Sequence, residues 1–272
     1  MKAGIMGWPV AHSKSPRLHG YWLKQYGIDG SYVHLPVAPE ELAKALSALA
    51  ADGFAGVNLT VPHKEPALAL VDEVSPQAAR IGAINTIFVK NGKLTGANTD
   101  ASGFANALRA GAPSFDPKGG PAVVIGAGGA ARAVCFALQE AGCPDIRLVN
   151  RTEARAQTLA RSFGKPVATY PWEARHQMLA GAALLVNTTT MGMTGQPPLD
   201  LDLTGLPASA VVNDIVYAPL ETPLLAQARA RGHVVVDGLG MLLYQAQAGF
   251  EGWFGVKPAV TPELRAYVLG AS

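Results

Sequence analysis

Ala122-Val123-Val124-Ile125-Gly126-Ala127-Gly128-Gly129-Ala130-Ala131 joins an unbroken apolar tetrad to a glycine-rich turn. A strand buried on both faces of a parallel sheet reads as such a short apolar run. A glycine turn that feeds a helix leaves backbone N–H groups aimed past the strand end, where they suit a pyrophosphate. In a dinucleotide fingerprint the first glycine makes the tight turn, the second lets the backbone approach the phosphates, and a small third residue lets the helix pack. Gly126, Gly128 and Ala131 occupy those places. A helix over Ala131 to Ala141, a stop at Gly142 and a second strand over Ile146 to Val149 complete the expected unit.

An NAD-preferring site places a carboxylate on the ribose 2′-hydroxyl, about 20 positions beyond the glycines. The chain has Asn150-Arg151-Thr152 there, with Arg155 one helical turn on. No carboxylate stands there to repel a 2′-phosphate, and the planar, permanently charged forks of Arg151 and Arg155 can grip one. NADP is therefore the expected nucleotide. A competing view, in which Thr152 only caps a helix over Glu153 to Ser162 and both arginines are solvated, stays open at this level.

The 272 residues suffice for two hydrophobic cores. A formal net charge of +2 gives no long-range field for nucleic acid or an anionic membrane surface, so any phosphate recognition is local. Cys135 and Cys143 make no disulfide framework and read as reduced, buried small residues. The opening Met1-Lys2-Ala3-Gly4-Ile5-Met6-Gly7 is too short an apolar run for a signal peptide, and no apolar stretch reaches the roughly 18 residues that span a bilayer. A cytoplasmic protein is expected.

Ahead of the glycine turn lies a second alternation of strands and helices. Strands are expected over Ala3 to Met6, Tyr32 to Pro36 and Gly56 to Thr60. Helices are expected over Pro16 to Tyr26 with Ser15 as cap, over Glu40 to Ala51, and around Glu65 to Val71. Asn85 to Gly96 carries two alternating runs about Asn91-Gly92, a strong hairpin signal. A linking helix over Phe104 to Leu108 and a Pro/Gly-rich loop over Gly111 to Gly120 lead into the nucleotide domain. That domain continues with strands at Ala183 to Asn187, Val211 to Ile215 and Val234 to Val236 and a helix at Pro223 to Ala230. The pattern turns helical from Gly238. The expected fold is α/β, an N-terminal α/β substrate domain plus a doubly wound Rossmann-type NADP-binding domain, with the C-terminal helices packing back on the first. The expected boundaries are 1–101 with 238–272, and 102–237.

A nucleotide domain supplies a hydride but no acid–base partner, so the first domain is the place to seek one. Lys64 is the best candidate. It follows Thr60-Val61-Pro62-His63, where Pro62 marks a first helical turn, and a cation there opposes the positive end of the helix dipole. That is a poor structural choice and a useful one for proton transfer, since the dipole favours the neutral amine. Asp100, in Asn98-Thr99-Asp100, is ambiguous alone, because a carboxylate suits the start of any helix. Paired with Lys64 it would orient the amine and bond a substrate hydroxyl. His12, His19 and His63 read as structural, because no cysteine or carboxylate spacing supports a metal site.

At this point nearly the full length of the chain resembles the shikimate dehydrogenases. Five motifs carry the resemblance: Gly7-Trp8-Pro9-Val10-Ala11-His12-Ser13-Lys14-Ser15-Pro16-Arg17-Leu18-His19, Asn58-Leu59-Thr60-Val61-Pro62-His63-Lys64, Gly82-Ala83-Ile84-Asn85-Thr86, Asn98-Thr99-Asp100, and Asp237-Gly238-Leu239-Gly240-Met241-Leu242-Leu243-Tyr244-Gln245. The resemblance implies reversible NADPH-dependent reduction of 3-dehydroshikimate to shikimate, on the way to chorismate and the aromatic amino acids, by a monomer or homodimer. It implies a catalytic pair in Lys64 and Asp100, and substrate contacts from Ser13, Ser15, Thr60, Asn85, Tyr217 and Gln245. It further implies nucleotide contacts from Gly126, Ala127, Gly128, Gly129 and Ala130, from Asn150, Arg151, Thr152 and Arg155, and from Ile215, Gly238 and Met241 beside the nicotinamide. Gly20 departs from the family, which commonly has asparagine after the histidine.

A ring acid with several hydroxyls needs several hydroxyl and amide partners, which suits this set. Taken singly, Ser13 reads equally as a loop hydroxyl, Ser15 and Thr60 as caps, and Asn85 as a hairpin residue. Gln245, an amide on an apolar helix, needs partners in any reading. Three other functions compete. An NAD-using quinate/shikimate dehydrogenase is disfavoured by Asn150-Arg151-Thr152. A methylenetetrahydrofolate-type dehydrogenase leaves Ser13, Ser15 and Gln245 without purpose. A non-catalytic NADP-binding sensor has no need of both Lys64 and Asp100.

Overall fold

The computed structural model describes residues 1–270. Two compact units emerge: Met1–Asp100 with the segment from Leu242 onward, and Ala101–Met241.

In the first unit the chain runs β1 (Lys2–Gly7), α1 (Ser15–Gln25), β2 (Ser31–Pro36), α2 (Leu42–Ala48), β3 (Phe54–Leu59), β4 (Glu73–Val74), α3 (Pro76–Ile81), β5 (Thr86–Lys90) and β6 (Lys93–Ala97). Six strands form one sheet in the order β2-β1-β3-β5-β6-β4. The pairs β2/β1, β1/β3 and β4/β6 are parallel, while β3/β5 and β5/β6 are antiparallel. The β5–β6 hairpin turns at Asn91 and Gly92 with φ of 52° and 77°, the left-handed pair that a two-residue primed turn requires. On one side of the sheet, Leu42, Leu46 and Leu49 pack with Met6, Val57, Leu59, Ile84 and Ile87.

The other core of this unit is aromatic. α8 (Gly238–Phe254), from Leu242 on, and α9 (Pro262–Leu269) belong to the C-terminal segment, and α9 packs on α1. Phe250 stacks on His19 and meets Trp22 edge-on, while Trp253 is tilted against His19 and Tyr32. The Trp253 indole N–H donates to the Ile87 carbonyl at 3.0 Å. Gly56 permits this approach: its φ is +157°, and a Cβ there would overlap Ile87 and Trp253.

The second unit opens within α4 (Asp100–Gly111) and continues through β7 (Ala122–Ile125), α5 (Gly129–Glu140), β8 (Ile146–Val149), α6 (Glu153–Phe163), β9 (Val167–Tyr170), β10 (Leu184–Asn187), β11 (Val211–Asp214), α7 (Pro223–Ala230) and β12 (Val234–Val236). All six strands are parallel, in the order β12-β11-β10-β7-β8-β9. That is the doubly wound order, with its topological switch between β7 and β10. β7, β10 and β11 are buried at every position, as a sheet covered on both faces demands. The fold is thus the expected α/β pairing, with the C-terminal helices on the N-terminal unit.

Several local expectations need correction. Ser15 does not cap α1; it is the first helical residue, and Lys14 stands at the cap with no side-chain bond. The segment near Glu65 is only a 3-10 turn, Pro66–Ala69, because Pro66 removes a donor and the apolar residues need just one turn to reach the core. The helix expected from Glu40 begins as a separate 3-10 turn, Pro39–Glu41. The linking helix α4 is longer than Phe104 to Leu108. One α-helix and two strands went unexpected. α3, capped by Ser75 and closed by left-handed Gly82, is too short for a periodic signal. β4 and β9 are short edge strands whose partial exposure erases the apolar run.

Candidate active site

The first unit gathers its polar side chains at the ends of β3 and β6. The Lys64 ammonium lies 2.5 Å from Asp100 Oδ2, with only 17% and 6% of the two side chains exposed. Asp100 opens α4, its backbone N–H donates to Asn98 Oδ1, and the Asn98 amide donates to the Ala83 carbonyl. Lys64 is fixed from behind, because its carbonyl accepts the Ile84 N–H at 2.7 Å. No α-helix begins at Lys64, so the dipole invoked for it from sequence has no source. A 3-10 turn of four residues is too short to supply one. What acts on the amine is the buried carboxylate beside it.

Asn85 is the hub of this cluster. Its amide nitrogen donates to Asp100 Oδ1 at 2.8 Å, to Thr99 Oγ1 at 2.9 Å and to Gln245 Oε1 at 3.2 Å. Its amide oxygen accepts the Thr99 N–H at 2.7 Å and the Thr86 hydroxyl at 3.1 Å. The Gln245 amide nitrogen is bonded to the Leu242 carbonyl one turn back on α8. Lys64, Asp100, Asn85 and Gln245 are therefore one hydrogen-bonded group, almost wholly withdrawn from water.

Ser13 and Ser15 form a second group. Their hydroxyls are 3.1 Å apart, and the Ser15 N–H donates to Ser13 Oγ. Tyr32 links the groups. Its phenol is hydrogen-bonded to Ser15 and donates to Asn58 Oδ1 at 2.7 Å, while the Asn58 amide donates to the Asn85 carbonyl and to Thr86 Oγ1. Burial pushes the phenol well above its usual range, so it stays a donor. Thr60, half-buried, is set at the end of β3 by its N–H on the Met6 carbonyl.

Tyr32, Asn58, Thr86 and Thr99 were not singled out from sequence. Asn58 carried a usable signal, a lone amide between Val57 and Leu59 in a buried strand. His63 is bonded to the Val37 carbonyl, and His19 is buried in the aromatic core. Among the described residues no cluster of His, Cys, Asp or Glu is arranged to hold a metal, and no helix is long and apolar enough to cross a membrane.

In the second unit Gly126 leaves β7 with φ of +115°, and a Cβ there would press on Thr188 Oγ1. A Cβ on Gly128 would meet nothing within 4 Å, so the backbone there is bare and approachable. α5 starts at Gly129 with no side-chain cap. Its first amides, flanked by Ala127 and Ala130, remain for an anion, and this cradle fits a dinucleotide pyrophosphate. Beyond β8, Asn150 bends the chain by donating to the Thr152 carbonyl, leaving Arg151, Thr152 and Arg155 exposed. Thr152 precedes α6 without a side-chain cap bond, so the capping view finds no bond to support it. Gly238 lies so close to the Ile215–Val216 backbone that no side chain would fit. Tyr217 is half-buried and Met241 buried in this unit.

A doubly wound nucleotide-binding sheet, joined in one chain to a buried lysine–aspartate pair ringed by amides and hydroxyls, defines a nicotinamide-nucleotide oxidoreductase of hydroxylated substrates. The model of the shikimate dehydrogenase substrate binding domain matches residues 5–87, and that of the shikimate / quinate 5-dehydrogenase matches residues 113–193. The shikimate dehydrogenase (NADP(+)) of Paramagnetospirillum magneticum is 61% identical over 268 residues, covering 98% of this chain and 97% of its own. That of Rhodospirillum rubrum is 60% identical over 98% of this chain and 96% of its own. The Thermus thermophilus shikimate 5-dehydrogenase, solved with NADP(H) and shikimate, superposes with a TM-score of 0.88 at 42% identity over the full length of both chains. A quinate dehydrogenase from Corynebacterium glutamicum, solved with NAD, gives 0.91 at 33% identity, covering 99% of each chain. The chain belongs to the shikimate dehydrogenase family.

Proposed function

We propose that the chain is a cytosolic, NADP-dependent shikimate dehydrogenase, a monomer or homodimer, that reversibly reduces 3-dehydroshikimate to shikimate on the way to chorismate. The observation that carries this is the buried Lys64, Asp100, Asn85 and Gln245 group beside the Ser13–Ser15 pair. NADPH, when bound, supplies the hydride. Lys64 holds a proton on Nζ and gives it to the substrate carbonyl oxygen as that oxygen gains charge; in the reverse direction it takes the hydroxyl proton. Asp100 orients the amine through Oδ2 and bonds a ring hydroxyl of the substrate, and Asn85 locks the carboxylate through Oδ1. Ser13 and Ser15 hold the substrate carboxylate, while Thr60, Asn85, Gln245 and Tyr217 hold its ring oxygens. Gly126 to Ala130 cradle the pyrophosphate, Asn150 to Arg155 the adenosine 2′-phosphate, and Ile215, Gly238 and Met241 the nicotinamide side.

The test is nicotinamide reduction with shikimate and quinate, each with NADP+ and NAD+. Shikimate with NADP+ should give the highest kcat/KM. Faster turnover of quinate with NAD+ would instead assign the chain the activity named for the Corynebacterium protein.

A further inference from the structure

We propose that Asp214 is a positioning residue for the nicotinamide half of the nucleotide, its carboxylate tying together the loops that follow β10 and β11. The proposal rests on the NADP assignment above. Sheet order shows where that half lies. The pyrophosphate turn follows β7, and the 2′-phosphate side lies past β8. A dinucleotide stretched across the switch point therefore sends its other half over the ends of β10 and β11.

Asp214 ends β11 with no solvent exposure. Its Oδ1 accepts the Asn187 amide and the Val216 N–H, each at 3.0 Å, and its Oδ2 accepts the Thr222 hydroxyl at 2.7 Å. Asn187 passes the hold onward. Its amide also donates to the Met191 carbonyl, and its oxygen accepts the Thr189 N–H and hydroxyl. The Thr189 hydroxyl in turn accepts the Met191 N–H. One carboxylate thus fixes 189–191 on one side and Ile215–Val216 on the other, and Gly238 packs against that second backbone. The pyrophosphate turn is held separately, since Thr188 bonds the Ile125 carbonyl through both its N–H and its hydroxyl. A buried carboxylate is a costly way to join two loops. Burial raises this carboxyl to about 6, against the pull of its three donors.

The separation of the two nucleotide halves provides the test. Calorimetric titration of the full-length enzyme compares NADP+ with its nicotinamide-free fragment, 2′-phospho-ADP-ribose. Asp214→Asn should weaken NADP+ about tenfold and leave the fragment within about twofold, as loosening of the two loops on the nicotinamide side alone predicts. Thr189→Val, a near-isosteric change on the loop, should show the same selectivity at smaller size and serves if the first variant does not fold. Equal weakening of both ligands, or unchanged affinities with only a lower Tm, overturns the proposal. A wild-type enzyme that binds neither ligand overturns the NADP assignment itself.

Discussion

At the scale of single residues, Lys64 and Asp100 are proposed to carry the chemistry, and each substitution has its own expected signature. Lys64→Ala should lower turnover by roughly 10²–10⁴-fold with little change in shikimate KM, since a lost general acid acts in the transition state. Asp100→Asn should lower turnover and raise that KM, because the same carboxylate is proposed to hold a ring hydroxyl. The double variant should resemble the worse single one, as groups acting together are not additive. A Lys64→Ala enzyme with normal kcat and only a raised KM would make the lysine a binding residue. His19 makes a prediction of another kind. Neither ring nitrogen has a partner, the ring stacks 4.0 Å from Tyr32, and burial lowers its pKa to about 3. Between that value and the unfolded 6.5 only the unfolded chain binds this proton, so stability falls as pH falls, by about 1.4 kcal/mol per unit. His19→Phe should remove that slope from urea unfolding measured at pH 7 and pH 5. Equal slopes in the two proteins would refute the linkage.

At the scale of elements, the turn between β8 and α6 is the one proposed to set nucleotide choice. Arg151→Ala should raise the NADP+ KM about tenfold to a hundredfold, the worth of a charge-assisted bond, and leave NAD+ nearly unchanged. Equal losses with both would remove Arg151 from the phosphate site. The same turn illustrates what sequence can carry. β7 with its glycines, the Asn91-Gly92 hairpin and the parallel strands β10 and β11 were legible, because full burial or a left-handed backbone leaves a local signature. β4 and β9 were not, since an edge strand half in water shows neither a continuous nor an alternating pattern. Within the site, the pairing of Lys64 with Asp100 was legible as a chemical need, but its geometric cause was not. The sequence suggested a helix dipole, whereas the structure has Asn85 and a carboxylate brought in from 36 positions away. Tyr32 escaped because its bonds to Ser15 and Asn58 reach across the sequence, where no local spacing records them.

At the scale of the whole molecule, the two units should answer acid in opposite senses. Asp214 has its carboxyl raised from 3.8 to about 6, so the folded form holds the proton longer and this group favours the second unit as pH falls between those values. His19 works against the first unit over the same interval. Hydrogen exchange at pH 7 and pH 5, corrected for intrinsic rates, should show protection falling in β1 and β3 relative to β7 and β11; a uniform change would contradict this. The first unit is also discontinuous, its aromatic core completed by Phe250 and Trp253 from the far end of the chain. A ribosome delivers Trp22 and Tyr32 first and those partners only after the whole second unit, a delay on the order of 10 s at ordinary elongation rates. During that interval the first unit presents an unfinished aromatic face. A chain cut short at Met241 would keep every strand of the second unit but lack Phe250 and Trp253, which complete the aromatic core of the first.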